Sequence, residues 1–280
     1  TSIYGAIDPN TVLTIKGGRS LTFPNYTAVG SSVAIVNTLN SLVLNGNGGT
    51  TASTVALGAP AASQVHRLVL SAANAIKVVN DNYAATPTIS GTFTSATQAA
   101  TLEFSNASPV IDVSGLSPMG LLISAAITQN AGNTNAISKT GSGSLILTNA
   151  NSSWTTGITF NGANAGSIII GGSSTPSSVG STPTAGPLGT GTVTVGSTAT
   201  NAALLSDGTA GRTISNAIVL NNNLDFGGTA SGHGLVLNGT FDLGNGARTL
   251  TVVSPQVTTT IGGVISNGGI IKAGDGILVV

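Results

Sequence analysis

The chain has 280 residues, no cysteine and 6% charged residues, against a usual share of about 25% in globular domains. Eight basic and eight acidic side chains cancel, so no basic face exists to neutralise a phosphate backbone or hold anionic lipid, which argues against nucleic acid as a partner. Gly, Ser, Thr and Asn make up roughly 48% of the sequence, a bias towards turn formers that few helices tolerate.

Disorder is the rival reading of so polar a composition, but disordered chains are poor in β-branched residues and rich in charge. Here 40% of residues are hydrophobic and mean hydropathy is +0.38, carried by Val, Ile, Leu and Ala in short clusters that can form a core if they stack. No cluster approaches the ~18 apolar residues of a membrane-spanning helix, so the chain is expected to be soluble or surface-bound. It opens at Thr1 with no methionine or apolar leader, which is read as a removed signal peptide or an internal piece of a longer protein. The absence of cysteine excludes a disulfide scaffold and a thiolate metal site.

Along the chain, short β-type runs recur, each closed by Gly, Asn, Ser or Pro. Residues 1 to 120 contain Gln64–Leu70 and Asn74–Asn80 but no recurring motif. Beyond them come Ser144–Thr148, Gly157–Phe160, Ser167–Ile170, Gly191–Val195, Ala203–Leu205, Thr213–Leu220, Gly234–Leu237, Arg248–Val253, Thr258–Ile265 and Ile277–Val280. Runs of this length with turn signals between them predict an all-β chain. Alternation of apolar residues with Thr, Ser or Asn places one face in a core and the other in water.

Two architectures fit: a sandwich of antiparallel hairpins, or a solenoid of stacked parallel strands. Asn-Gly hairpin signals occur at Asn45-Gly46, Asn161-Gly162 and Asn238-Gly239, too few for a hairpin protein. Internal similarity favours the solenoid. Ile137-Ser-Lys-Thr-Gly-Ser-Gly-Ser-Leu-Ile-Leu147 reappears as Ile270-Ile-Lys-Ala-Gly-Asp-Gly-Ile-Leu-Val-Val280, setting Lys139 against Lys272, Gly141 against Gly274 and Gly143 against Gly276. The glycines permit positive φ at a tight corner between strands, and Asn and Thr on successive coils are expected to stack in hydrogen-bonded ladders.

Residues 137 to 160, which continue through Trp154 to Gly157-Ile-Thr-Phe160, resemble the autotransporter-associated β-strand repeat of bacterial passenger domains. Gly186-Pro-Leu-Gly-Thr-Gly-Thr-Val-Thr-Val195, Arg212 to Leu220, Arg248 to Val252 and Ile261 to Ile270 are similar to the rest of that module in order, so the resemblance covers about residues 121 to 280, with the second repeat truncated at 280. It implies a right-handed parallel β-helix in a large secreted or cell-surface protein, with residues 1 to 120 continuous with it. At the roughly 20 residues per coil that the resemblance implies, a dozen rungs ~4.8 Å apart make a rod about 60 Å long.

Little here points to chemistry. His66 lies in a strand-like run and His233 between Gly232 and Gly234; no Ser or Cys motif accompanies either, and both are read as structural. Gly141-Ser-Gly-Ser144 and Gly227-Gly-Thr-Ala-Ser-Gly232 lack the helix that a nucleophile elbow needs, and no phosphate loop is present. Asp207, Asp225 and Asp242 are spaced close to one coil, so a calcium site or a paired-carboxylate glycosidase is one reading. The other is that all three are turn signals at corners. Trp154 stands where the repeat carries its aromatic and is read as corner packing; with Tyr4, Tyr26, Tyr83 and six phenylalanines it is too sparse for a sugar-stacking platform. Asn25, Asn106, Asn151 and Asn238 match the glycosylation pattern, as chance predicts for this composition.

The expectation is thus a non-enzymatic extracellular or cell-surface rod with no cofactor. Its partner would be itself, through uncharged faces and an end at Ile277, Leu278, Val279 and Val280, or a polysaccharide. A glycan-binding adhesin and a β-helical hydrolase or lyase are the alternatives.

Overall fold

The computed structural model describes residues 7–23, 33–45, 51–80, 85–115, 120–228 and 233–280. Tyr4, Asn25, Tyr26, Gly46 and Tyr83 lie outside them, as do four of the residues in the Gly227 to Gly232 run. Among the described residues there are strands and turns and no helix, hence none long and apolar enough to cross a membrane.

The chain winds round three walls in a fixed order. The first wall stacks Val12–Lys16, Ser41–Asn45, Asn74–Asn80, Val110–Gly115, Ile137–Thr140, Ile158–Phe160, Val193–Val195, Ile218–Leu220 and the opening residues of Phe241–Val252 and Ile265–Ala273. The second stacks Ser20–Thr22, Thr54–Ala56, Thr88–Ser90, Leu121–Ile123, Ser144–Leu147, Ser167–Ile170, Ala203–Ser206, Leu224–Gly228 and the closing residues of the same two long strands. The third wall is in two parts: Val33–Leu39, Gln64–Leu70, Gln98–Phe104 and Ala126–Ile127 below, and Arg212–Ile214, Leu235–Leu237, Thr258–Ile261 and Ile277–Val279 above. Every pairing within the walls is parallel. Among the described residues the one antiparallel strand pair is a short arm, Phe93–Ser95, folded onto the start of Gln98–Phe104. The β-sandwich alternative is therefore overturned. The Asn161-Gly162 and Asn238-Gly239 signals close corners between parallel walls, not hairpins.

Alternation explains why the walls stand. Ile158-Thr159-Phe160, Val193-Thr194-Val195 and Ile218-Val219-Leu220 each bury their outer two residues and turn the middle one outward. The inward residues stack in register from coil to coil into one continuous core, in which Phe160, Phe226 and Phe241 are wholly buried. Side-chain ladders run up the outside: Ser167 Oγ donates to Ser144 Oγ at 2.6 Å, Asn161 Nδ2 to Ser138 Oγ at 3.1 Å, and Asn201 Nδ2 to Asn164 Oδ1 at 2.7 Å.

Three expectations need correction. Coils are longer than 20 residues, stepping from 21 residues (Ser138 to Thr159) to 35 (Ile158 to Val193); the first wall has ten rungs, a stack of about 43 Å at ~4.8 Å per spacing. Thr213–Leu220 is two strands on two walls, split at Ser215-Asn216, because Asn216 Nδ2 turns in to donate to the carbonyls of Gly189 (3.1 Å) and Gly191 (2.9 Å). Thr258–Ile265 likewise breaks at Gly262-Gly263, where the Gly263 backbone passes so close to the Gly239 carbonyl that a side chain would collide with it.

The 35-residue step from Ile158 to Val193 owes its length to residues 171–190, whereas the equally long step from Ile76 to Ile111 lies outside that segment. Ser174 Oγ donates to Asn216 Oδ1, Asn238 Nδ2 to the Ser177 carbonyl, and Gly180 N to the Asn238 carbonyl. The segment thus lies along the rod and bonds to coils one and two turns further on.

Candidate functional site

The repeated motif builds corners. In the first copy, Ile137–Thr140 and Ser144–Leu147 are consecutive strands on the first and second walls, and Gly141 (φ +79°) makes the bend. A Cβ there would sit 2.5 Å from the Val113 carbonyl oxygen and 2.6 Å from Asp112 Oδ1. Lys139 faces inward, between Ile111 below and Phe160 above, and is wholly buried. Its Nζ donates to the carbonyls of Gly141 (2.5 Å), Gly143 (2.6 Å) and Ala165 (2.6 Å). Three acceptors match the three N–H donors of an ammonium. Burial pushes the pKa of Lys139 down to about 7, with the Asp112 carboxylate pulling the other way.

The second copy makes a different corner. Lys272 closes Ile265–Ala273 on the second wall, and Ile277–Val279 belongs to the third. The motif therefore encodes strand, corner, strand, and not a particular wall. Lys272 Nζ donates to the Gly274 carbonyl, as Lys139 does to that of Gly141, and Gly274 has φ +76°. Gly276 is buried; a side chain there would strike Val252 and Ser254. Lys272 itself is exposed. Arg248 works a third corner in the same way, with Nε donating to the carbonyls of Leu220 (3.1 Å) and Leu243 (2.9 Å), and the terminal nitrogen to that of Gly244 (3.1 Å). The sequence pairing of Lys139 with Lys272 did not include it.

Trp154 sits at the irregular stretch of the third side, 1% exposed, with Nε1 donating to the Gly157 carbonyl at 3.0 Å. Gly157 has φ +83°, and a side chain on it would collide with the Thr192 carbonyl. Trp154, Gly157 and Gly189, whose backbone packs on the indole, close the core where no regular strand does.

The three aspartates do not converge. Asp207 follows the second-wall strand Ala203–Ser206, where Arg212 holds it in a bidentate pair (Nε to Oδ1 3.2 Å, terminal nitrogen to Oδ2 2.7 Å). Burial alone would raise its pKa, but hydrogen bonds from Arg212 and Thr209 outweigh that and hold it below the usual carboxylate range. Asp225 lies within Leu224–Gly228 on the second wall, opposite Ala203 and Thr251, not at a corner as expected. Asp242 is on the first wall, its carboxylate held low by the Gly244 N–H (2.7 Å) and Asn267 Nδ2 (2.8 Å). Among the described residues no three His, Cys, Asp or Glu side chains come together as a metal would need.

His66 is buried in the third wall, and burial lowers its pKa against a hydrogen bond with the Leu57 backbone. The His233 carbonyl accepts from Ser206 Oγ at 2.5 Å. Asn238 is 8% exposed and bonded to Ser177, so its glycosylation match is occupied. At the last rung Ile277, Val279 and Val280 are 55%, 44% and 74% exposed, joined by Ile271 at 54%; Leu278 is half-buried.

Two hollows remain. A groove of about 320 Å³ runs between the 171–190 segment and the stacked corners, lined by Thr156, Thr182, Thr192, Ser215 and Thr240 among others, with no charged or aromatic side chain. A smaller cleft of about 170 Å³ on the outer face of the third wall brings together Arg67, Phe93, Thr101, Glu103, Thr128 and Gln129. No signal in the sequence pointed to either.

No family model, curated protein or solved structure matches the chain.

Proposed function

We propose that the chain is a non-enzymatic, extracellular structural rod of the autotransporter-passenger type, which associates with further copies of itself through uncharged faces and ends. The observation that carries this reading is the outer surface of the stack. Its side-chain pairs are hydroxyls and amides, such as Ser138 to Asn161 and Asn164 to Asn201, over a core continuous from coil to coil. With eight charges of each sign, such faces lack the repulsion that keeps molecules apart.

The coil is right-handed in this reading, as parallel crossovers are in ~98% of cases. Dispersal of Asp225 and Asp242 over two walls speaks against the hydrolase alternative, which needs a carboxylate pair facing one substrate.

Negative-stain electron microscopy with sedimentation at several concentrations tests the proposal. Filaments or lateral sheets that grow with concentration are expected. Separate rods at every concentration would overturn self-association.

A further inference from the structure

We infer that the cleft on the third wall binds a single neutral sugar ring, gripped by Glu103 and Arg67 and stacked on Phe93. Parallel register sets Arg67 directly beside Thr101, and the antiparallel arm Phe93–Ser95 folds back over the same strand. The result is a walled recess on what would otherwise be a flat sheet face.

Its chemistry is unlike the rest of the surface. Glu103 is 3% exposed, and its carboxylate is oriented by Thr128 Oγ1 on Oε1 (3.0 Å), Asn130 Nδ2 on Oε2 (2.9 Å) and Arg67 Nε at 3.5 Å. A carboxylate offers about four acceptor positions, so acceptor capacity is left. Arg67 keeps 43% of its side chain exposed, and only its Nε faces Glu103, leaving the terminal N–H groups as donors. Thr101, 2% exposed, lines the cleft, and its Oγ1 has no hydrogen-bond partner among the described residues. Buried hydroxyls without partners are rare and call for an explanation.

These features select the ligand. One cation and one anion side by side disfavour any strongly charged guest, since Glu103 repels anions and Arg67 repels cations. A vicinal diol suits them, because each hydroxyl both donates and accepts. The Phe93 ring, half-buried on the arm, supplies the apolar face that a sugar's C–H side requires. At a water's share of about 30 Å³, the 170 Å³ recess holds about six waters, the space of one six-membered ring and not of a chain. The larger groove beside Thr182 has no charged or aromatic side chain.

Saturation-transfer difference NMR of the full chain with a panel of methyl hexopyranosides tests the site. Transfer from at least one hexoside is expected, with affinity near millimolar for so small a ligand. It should weaken about tenfold or more in Phe93→Ala and in Glu103→Gln, each of which loses one of the main contacts. Thr182→Ala, in the other groove, should bind as the parent does. Phe93 stands on the surface arm, so its variant reads the site even if Glu103→Gln, checked by circular dichroism, fails to fold. No transfer from any hexoside, or undiminished transfer in Phe93→Ala, would overturn the inference. Either result leaves the rod reading untouched, because self-association does not use this cleft.

Discussion

The corners at Lys139 and Lys272 are built from the same motif and differ in their neighbours. Both glycines after the lysine adopt positive φ, Gly141 at +79° and Gly274 at +76°; both lysines bond the carbonyl of that glycine; both corners rest on the coil below. Only Lys139 has a described coil above it, which supplies the Ala165 carbonyl and closes the corner from water. The motif thus makes the bend locally, while burial and the completed ammonium site come from the next rung. Stability in such a stack is a sum over neighbours, and one residue type is worth different amounts at different heights.

The largest expected effect separates the two lysines. Lys139→Met leaves three buried carbonyls without their donor, at ~1–3 kcal/mol for each group not rescued by water, so a loss of about 3 kcal/mol or more should appear in the urea midpoint. Lys272→Met, with its head group in solvent, should stay within about 0.5 kcal/mol. Equal losses would break the comparison. Next come the glycines. Gly141→Ala and Gly274→Ala both force an L side chain into the left-handed region, at about 1–2 kcal/mol, and onto the carbonyl of the coil below. Because that coil is present in both cases, their losses should be similar, so a large difference between them would mean that the lower neighbour is not the shared element.

A smaller effect is expected from pH. Lys139 has a pKa of about 7 in the folded chain against 10.5 for a free side chain. Between these values the unfolded chain binds a proton that the folded chain has released, so the Lys139 contribution to stability rises with pH through that window and is flat below it. Urea midpoints taken across the window should climb in the parent and lose that component in Lys139→Met. A flat profile in the parent would show that the three carbonyls hold the proton against burial, and a slope that survives the substitution would assign it to another group. The smallest effect is at Asp207→Asn, where the bidentate Arg212 pair is partly exposed; a loss of about 1 kcal/mol or less is expected in the same assay.

The strands were readable from sequence because their signal is local. Ser167–Ile170 matches its strand residue for residue, and most of the others differ at an end. The failures share a cause. Ser215-Asn216 reads as β in a run of Thr, Ile, Ser and Val, and only the distant carbonyls of Gly189 and Gly191 explain why Asn216 turns the chain. Coil length was misjudged because the stretches between walls vary: steps of 34 and 35 residues run from Leu42 to Ile76 and from Ile76 to Ile111, and another of 35 from Ile158 to Val193, where Asn216 and Asn238 hold residues 171–190 one and two coils later. Asp225 was mistaken for a turn residue because Asp and Gly often mark corners, while its strand is set by pairing with Ala203 and Thr251. The cleft was invisible for the same reason: Arg67, Phe93, Thr101 and Glu103 form no motif, and register alone joins them.

The 171–190 segment changes how the rod would respond to force. A plain stack pulled along its axis gives way at whichever single interface is weakest, since each coil holds only its neighbours. Bonds from Ser174 to Asn216 and from Ser177 and Gly180 to Asn238 run beside two successive interfaces, so neither opens without the strap sliding too. Tension there is shared, and the stretch between Trp154 and Gly239 should peel as one block while coils to either side come off singly.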